Sequence, residues 1–123
     1  MTTALTWTAV ALCGAVGSLG RYTAGKRIAA LRPGDFPWGT FAVNVSGGFV
    51  LGLLVGFDIT HDALVVAGTG LLGSYTTFST WMVEAQRLGE DGEWALMWLY
   101  LLGTMVAGLL STGAGWALGS WLA

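Results

Sequence analysis

Ala63-Leu64-Val65-Val66-Ala67-Gly68-Thr69-Gly70-Leu71-Leu72-Gly73-Ser74-Tyr75-Thr76-Thr77-Phe78-Ser79-Thr80-Trp81-Met82-Val83 is a run of 21 residues without a charge, bounded by Asp62 and Glu84. An apolar segment of about 20 residues is what a helix needs to cross a bilayer. This one is unusual in its second half, because Gly68 to Trp81 holds three glycines and seven hydroxyl side chains. Glycine lowers helix propensity, and Ser and Thr offer the backbone competing hydrogen bonds. An unwound stretch around Gly73 to Thr77 is therefore expected. In hydrocarbon such a break is tolerated only where the freed backbone groups are buried in protein or line a cavity, and freed carbonyls can coordinate a cation such as Na⁺. The alternative is an unbroken helix whose hydroxyls bond back to its own carbonyls.

Outward from this run the same pattern repeats. Thr2 to Gly20 gives 19 uncharged residues, Phe36 to Phe57 gives 22 and Trp94 to Ala123 gives 30, so all the charges fall at positions 21–35, 58–62 and 84–93. Only 10% of the 123 residues are charged, against about 25% in a soluble domain. Twelve charges, 5 basic plus 7 acidic, cannot cover a folded chain of this size; a lipid-facing exterior removes the need. The expected fold class is all-α integral membrane, with four transmembrane helices in a single domain, residues 1–123, and approximate spans at 2–24, 36–57, 63–86 and 93–122. Spanning strands would be alternating segments of about ten residues, which these runs are not. No basic residue precedes the first span, and it exceeds the 7 to 15 residues of a signal-peptide core, so it is expected to stay in the mature protein. Cys13 lies mid-span without a partner and reads as a buried structural thiol. His61, in the Asp58–Asp62 turn, has no second nitrogen or sulfur ligand and reads as a solvated loop residue. No metal cluster, nucleophile triad or phosphate loop appears, so the chain is not expected to be an enzyme, and no nucleic-acid partner is expected.

The first loop carries Arg21, Lys26, Arg27 and Arg32 and the third carries Arg87, whereas the opposite side has only Asp58 and Asp62. By the positive-inside rule the first and third loops are cytoplasmic and both termini lie outside. Gly48, Gly52 and Gly56 in the second span, and Gly103, Ala107, Ser111, Gly115 and Gly119 in the fourth, recur at every fourth position. Such small-residue stripes let helices pack closely in lipid. Some of that packing is expected between chains, because four helices packed on themselves leave no aqueous path. Trp7, Trp38, Trp94, Trp116 and Trp121 near the span ends read as headgroup anchors.

Polar side chains at bilayer depth point to chemistry. Asn44 is the only carboxamide in the four runs; it reads either as a bridge between helices or as a pore-facing NH₂ donor. Tyr100, Thr104 and Thr112, spaced by four and eight, share one face of the fourth span. Phe78 and Trp81, three apart, share a face of the third and could turn their positive ring edges inward. Donors and ring edges without an intramembrane carboxylate suit a small anion. Two other classes fit the residues less well. A proton-coupled exporter of the small multidrug-resistance type has this length, but needs an intramembrane carboxylate, and the nearest, Asp35 and Glu84, sit at segment edges. A non-transporting assembly subunit would explain the glycine stripes but not the polar third span.

At these residues the sequence resembles the Fluc (CrcB) family of fluoride channels, over essentially the whole chain. Three motifs carry the likeness: Gly17-Ser18-Leu19-Gly20-Arg21-Tyr22, Gly39-Thr40-Phe41-Ala42-Val43-Asn44, and Gly70 to Trp81 with Glu84 beyond it. The resemblance implies a dual-topology antiparallel dimer in the cell membrane, with two pores lined by both subunits, that passively exports fluoride and relieves its toxicity. It implies that Asn44 faces the pore vestibule, that Phe78 and Trp81 form an aromatic box, and that Ser79 and Thr80 supply hydroxyl contacts. Tyr100 and Thr104 match the polar lining of the fourth helix, Arg21 an arginine near the pore entrance, and Glu84 a glutamate after the motif. Arg21 either attracts anions or snorkels to the headgroups. The backbone carbonyls of Gly73 and Thr76 from both subunits are implied to hold a structural Na⁺ on the dimer axis. Trp81 departs from the usual Phe and adds an N–H donor. The one-sided loop charge is the second departure. An antiparallel homodimer needs each chain to insert both ways, so the expected assembly is either a homodimer or a heterodimer with an oppositely oriented paralogue.

Overall fold

The computed structural model describes residues 1–123. Every regular element is helical. Helices α1 (Thr3–Leu31), α2 (Trp38–Gly56) and α6 (Trp94–Leu122) are long and apolar enough to cross a membrane. At 29 residues, α1 is about 44 Å long, which exceeds the roughly 30 Å hydrocarbon core and carries Lys26 and Arg27 toward the headgroups. The third uncharged run is built from pieces instead. A short α3 (His61–Leu64) continues into a π-helical segment, Val65–Leu72, then into a single turn, α4 (Gly73–Tyr75); α5 (Ser79–Glu90) starts after three residues outside any helix. Gly92, at φ 78°, reverses the chain between α5 and α6, a conformation that side chains disfavour and glycine accepts.

Two of the expected glycine stripes do their packing within the chain. A Cβ on Gly52 would strike the Thr112 carbonyl, one on Gly56 the Trp116 carbonyl, one on Gly115 the Phe49 carbonyl and one on Gly119 the Leu53 carbonyl. Backbone therefore lies against backbone along the α2–α6 seam. The stripe on α6 is not uniform, because Gly103, like Gly108 and Gly113, has nothing within 4 Å of its Cβ direction. Helix α1 packs on the π-helical segment in the same manner: a Cβ on Gly17 would strike the Leu71 carbonyl, and one on Gly70 would lie 2.9 Å from the Val10 carbonyl oxygen. Ser111 ties the α2–α6 seam by donating to the Val45 carbonyl at 2.9 Å, shared with Gly108 O at 3.1 Å. Replacing it with Ala is expected to cost about 0.6 kcal/mol, the usual size of an interhelical hydrogen bond in a membrane. Denaturant titration in detergent micelles would read this as a small leftward shift of the midpoint, and an unchanged midpoint would refute it.

Only 15 of 123 residues are buried, so most apolar side chains face outward. Leu12, Leu19, Leu109 and Leu110 are each about two-thirds exposed. An exterior of this kind is stable against lipid or another helix and not against water. The chain is a multi-pass membrane protein. Its tightest interior is where α5 meets α6: Ala85, Leu88 and Tyr100 are buried, with Phe36, Phe41 and Trp81 packed around them.

Candidate functional site

The interruption between α4 and α5 organises the site. Tyr75 is the last helical residue, Thr76 is extended at φ −79°, ψ 160°, and Phe78 returns to helical angles before α5 begins. The expectation of unwinding from Gly73 needs correction, since Gly73 lies at φ −62°, ψ −33° and starts the α4 turn. Local back-bonding holds it there. Ser74 Oγ donates to Gly70 O at 2.7 Å and Thr76 Oγ1 to Leu72 O at 3.0 Å, so hydroxyls expected to break the helix close its last turn. The π-helical segment has no counterpart in the sequence reading; the Gly73 N–H reaches back five residues to Gly68 O, as a π-helix requires.

Asn44 fastens the non-helical residues to α2. Its Nδ2 donates to Thr77 O and its Oδ1 accepts from Thr77 N–H, both at 2.8 Å. The side chain thus serves as a bridge between helices and satisfies both backbone groups of one residue in the interruption. One amide hydrogen is left for another acceptor, because the NH₂ group has two. Thr77 in turn receives the Thr80 N–H on its Oγ1 at 3.3 Å and so caps the start of α5. Asn44→Asp keeps the acceptor and loses the donor, placing a carboxylate beside the Thr77 carbonyl. The expected result is a lower thermal midpoint; a variant as stable as the parent would refute the bridging role.

The rings of Phe78 and Trp81 stand edge to face, 5.8 Å apart at 85°. Phe78 is exposed and Trp81 is half-buried against the Tyr100 cluster. Ser79 and Thr80, on the first turn of α5, are exposed. Tyr100 and Thr104 do share a face of α6 and both are buried. Thr112 donates to Gly108 O at 2.8 Å. Thr40 and Glu84 fall in separate sequence motifs that do not themselves pair them, yet the Thr40 hydroxyl donates to Glu84 Oε1. The available signal was a hydroxyl and a carboxylate near the same end of neighbouring spans.

Three cavities follow these residues. One of about 600 Å³ opens between Arg32, Trp38, Glu84 and Arg87 and includes Thr40, Ser79 and Thr80. A small one of about 160 Å³ joins Arg21 to Thr40, Thr77 and Thr80. The third, about 420 Å³, is bordered by Asn44, Thr77, Phe78, Trp81, Thr104 and Thr112. Thr40 and Thr80 are common to the first two and Thr77 to the last two, so hydroxyl side chains mark the way from the basic loop to the aromatic pair. Tyr100 stands behind this wall, outside the third cavity. The first cavity also holds the Arg32 guanidinium, stacked 4.3 Å above the Trp38 ring, where cation–π attraction restricts a long side chain.

Comparison with known proteins gives a consistent result. The family model described as CrcB-like protein, Camphor Resistance (CrcB), matches residues 8–116. The chain is 42% identical over 124 aligned positions to fluoride-specific ion channel FluC 2 of Mycobacterium tuberculosis, covering 98% of this chain and 95% of that one. It is 40% identical to fluoride-specific ion channel FluC 1 of Carboxydothermus hydrogenoformans, over 93% of this chain and 89% of the other. It is also 45% identical to fluoride-specific ion channel FluC 3 of Streptomyces avermitilis, over 90% of this chain and 56% of that longer one.

Proposed function

The chain belongs to the CrcB family, and from that premise we propose that it is a fluoride-selective channel of the cell membrane that lets cytoplasmic fluoride leave passively. The observation that carries the reading is the continuity of hydroxyl and amide groups through the three cavities, from Arg21 and Thr40 past Thr80 and Thr77 to Asn44, Phe78 and Trp81. Hydrogen-bond donors replace the hydration of a small anion, and an aromatic edge adds positive potential without a charge to trap it. Ser79 and Thr80 present hydroxyls at the start of α5, and Tyr100 and Thr104 extend the donor set along α6. Arg21 draws anions toward the small cavity. No acid lies within the first span, and Glu84 spends Oε1 on Thr40, which leaves a proton-coupled exporter without its exchanging group.

The proposal includes an antiparallel dimer with each pore lined by both subunits. Phe78, exposed in the single chain, is then covered by a partner. The Gly73 and Thr76 carbonyls fit a structural Na⁺ at the junction. The Thr77 N–H, which would otherwise extend the ladder onto Gly73 O, donates to Asn44 instead, so that carbonyl lacks the donor an unbroken helix would supply. When bound, the ion contributes a fixed positive charge there. The loop charges, five basic residues on one side and none on the other, favour an oppositely oriented paralogue as that partner. Rapid fluoride efflux from liposomes holding this chain alone would contradict the paralogue and leave the channel intact.

Expression in bacteria deprived of their own fluoride exporter tests the function. The protein, with its partner where one is required, is expected to restore growth on acidic fluoride medium. Failure to do so at normal membrane abundance would remove the reading.

A further inference from the structure

We infer that Trp81 meets the permeating anion through its indole N–H, which makes it a hydrogen-bond donor of the selectivity region and more than a second aromatic edge. The inference rests on the channel reading and deepens it. Three side-chain polar atoms in the protein are closed off from solvent and without a hydrogen-bond partner: Trp81 Nε1, the Tyr100 hydroxyl and the Thr104 hydroxyl. All three lie along the α5–α6 seam. Trp81, Ala85 and Leu88 occupy one face of α5, and this face packs on Tyr100; Thr104 is one turn further along α6 on the same side as Tyr100. Tyr100 and Thr104 are 0% and 4% exposed. The Tyr100 hydroxyl lies beside Thr40 and Glu84; because the Thr40 proton goes to Glu84, the Thr40 oxygen is free to accept from Tyr100, which leaves Trp81 Nε1 and the Thr104 hydroxyl as the two atoms with no acceptor at hand.

Buried polar groups are almost always paired, and a polar group left unpaired is costly. A single exception could be a packing accident; two on one seam, Trp81 Nε1 and the Thr104 hydroxyl, both on residues bordering the cavity that also holds Asn44 and Phe78, point to a shared acceptor supplied from outside the chain. The indole decides its chemistry. A hydroxyl donates or accepts, but an indole nitrogen only donates, so the missing partner is an acceptor. Glu84 is engaged by Thr40, and no carboxylate borders this cavity. An anion is the acceptor that the path delivers. Trp81 Nε1 and the Thr104 hydroxyl are closed off from solvent, so only an ion stripped of its water reaches them, and only after the side chains move. That requirement favours the smallest anion. Phe78, edge to face with Trp81, has no equivalent group, so the two rings are chemically unequal halves of the box.

The test pairs transport with a direct view of the indole. W81F keeps an aromatic edge and removes the donor. Fluoride efflux at subsaturating concentration is expected to fall about fivefold, the weight of one net hydrogen bond, and fluoride preference over chloride to fall with it. In nanodiscs, proton–nitrogen correlation spectra resolve the indoles of the seven tryptophans. Titration with sodium fluoride should move one of these resonances downfield, sodium chloride should not, and the responding peak should be missing in W81F. If W81F does not fold, sequence-specific assignment of the seven indole resonances in the parent protein lets its titration decide alone. The inference is overturned if no indole responds to fluoride, if W81F matches the parent in rate and selectivity, or if the Trp81 indole is already hydrogen-bonded and indifferent to fluoride, which would assign its acceptor to a neighbouring subunit. A parent protein that passes no fluoride would instead overturn the channel reading itself.

Discussion

Phe78→Ile is expected to slow fluoride efflux by about tenfold or more while leaving the folded protein intact. Phe78 is 69% exposed in the chain, so it contributes little to the interior, and in the proposed channel the ion passes its ring. It follows directly on the two residues that break the helix, Thr76 and Thr77, in the segment that Asn44 holds through Thr77, and its ring stands at 85° to Trp81. Isoleucine fills similar space and has no quadrupole, so the positive ring edge is lost while the apolar wall is kept. A tenfold change corresponds to about 1.4 kcal/mol in a barrier, which one ring edge at a dehydrated ion can supply. Efflux recorded with a fluoride electrode, beside thermal unfolding of the same preparation, checks both parts. Equal rates would remove Phe78 from the path, and a parallel loss of stability would make it a packing residue.

Gly52→Val is expected to abolish the folded protein. The position leaves no room for a first carbon, because a Cβ there would meet the Thr112 carbonyl, and the next turns repeat the arrangement with Gly56 against Trp116 and Gly115 against Phe49. Backbone atoms cannot rotate aside as a side-chain end can, so relief requires α2 and α6 to separate along their whole seam. That seam also carries the Ser111 to Val45 hydrogen bond and sets the distance between Asn44 on α2 and Thr104 on α6. Overpacking of this kind exceeds the usual cost of about 1 to 3 kcal/mol. Gly103→Ala is the control, since its Cβ meets nothing within 4 Å. Size-exclusion chromatography should give a defined peak for the control and aggregate for the valine variant; a monodisperse Gly52→Val protein would refute the close seam.

The membrane class was legible because charge is absent from long runs, and helix length follows from that alone. The stripes at Gly52, Gly56, Gly115 and Gly119 were legible as contact faces because a four-residue period can only line one side of a helix. Whether a stripe faces its own chain or another was not legible: Gly103 and Gly115 share the period, yet one meets open space and the other backbone. In the third run the composition announced weak helix, but the outcome depended on where hydroxyls found acceptors. Ser74 and Thr76 bond back to carbonyls three or four residues earlier, which carried the helix three residues past the expected point. The π-helical segment lies with Gly70 against α1, and its wider turn has no local signature in the run. Asn44 was legible as important and ambiguous as to purpose. The amide does bridge helices, and its remaining hydrogen leaves the donor role open to the ion.

Transport of fluoride is the central claim, and one measurement addresses it without intermediaries. Protein purified from its native membrane, with any subunit that accompanies it, is reconstituted into liposomes loaded in turn with potassium fluoride and potassium chloride, and efflux is started with a potassium ionophore. Rapid fluoride release that needs no pH gradient is expected, with chloride retained. Release of both anions at similar rates, or of neither from well-folded protein, would contradict it.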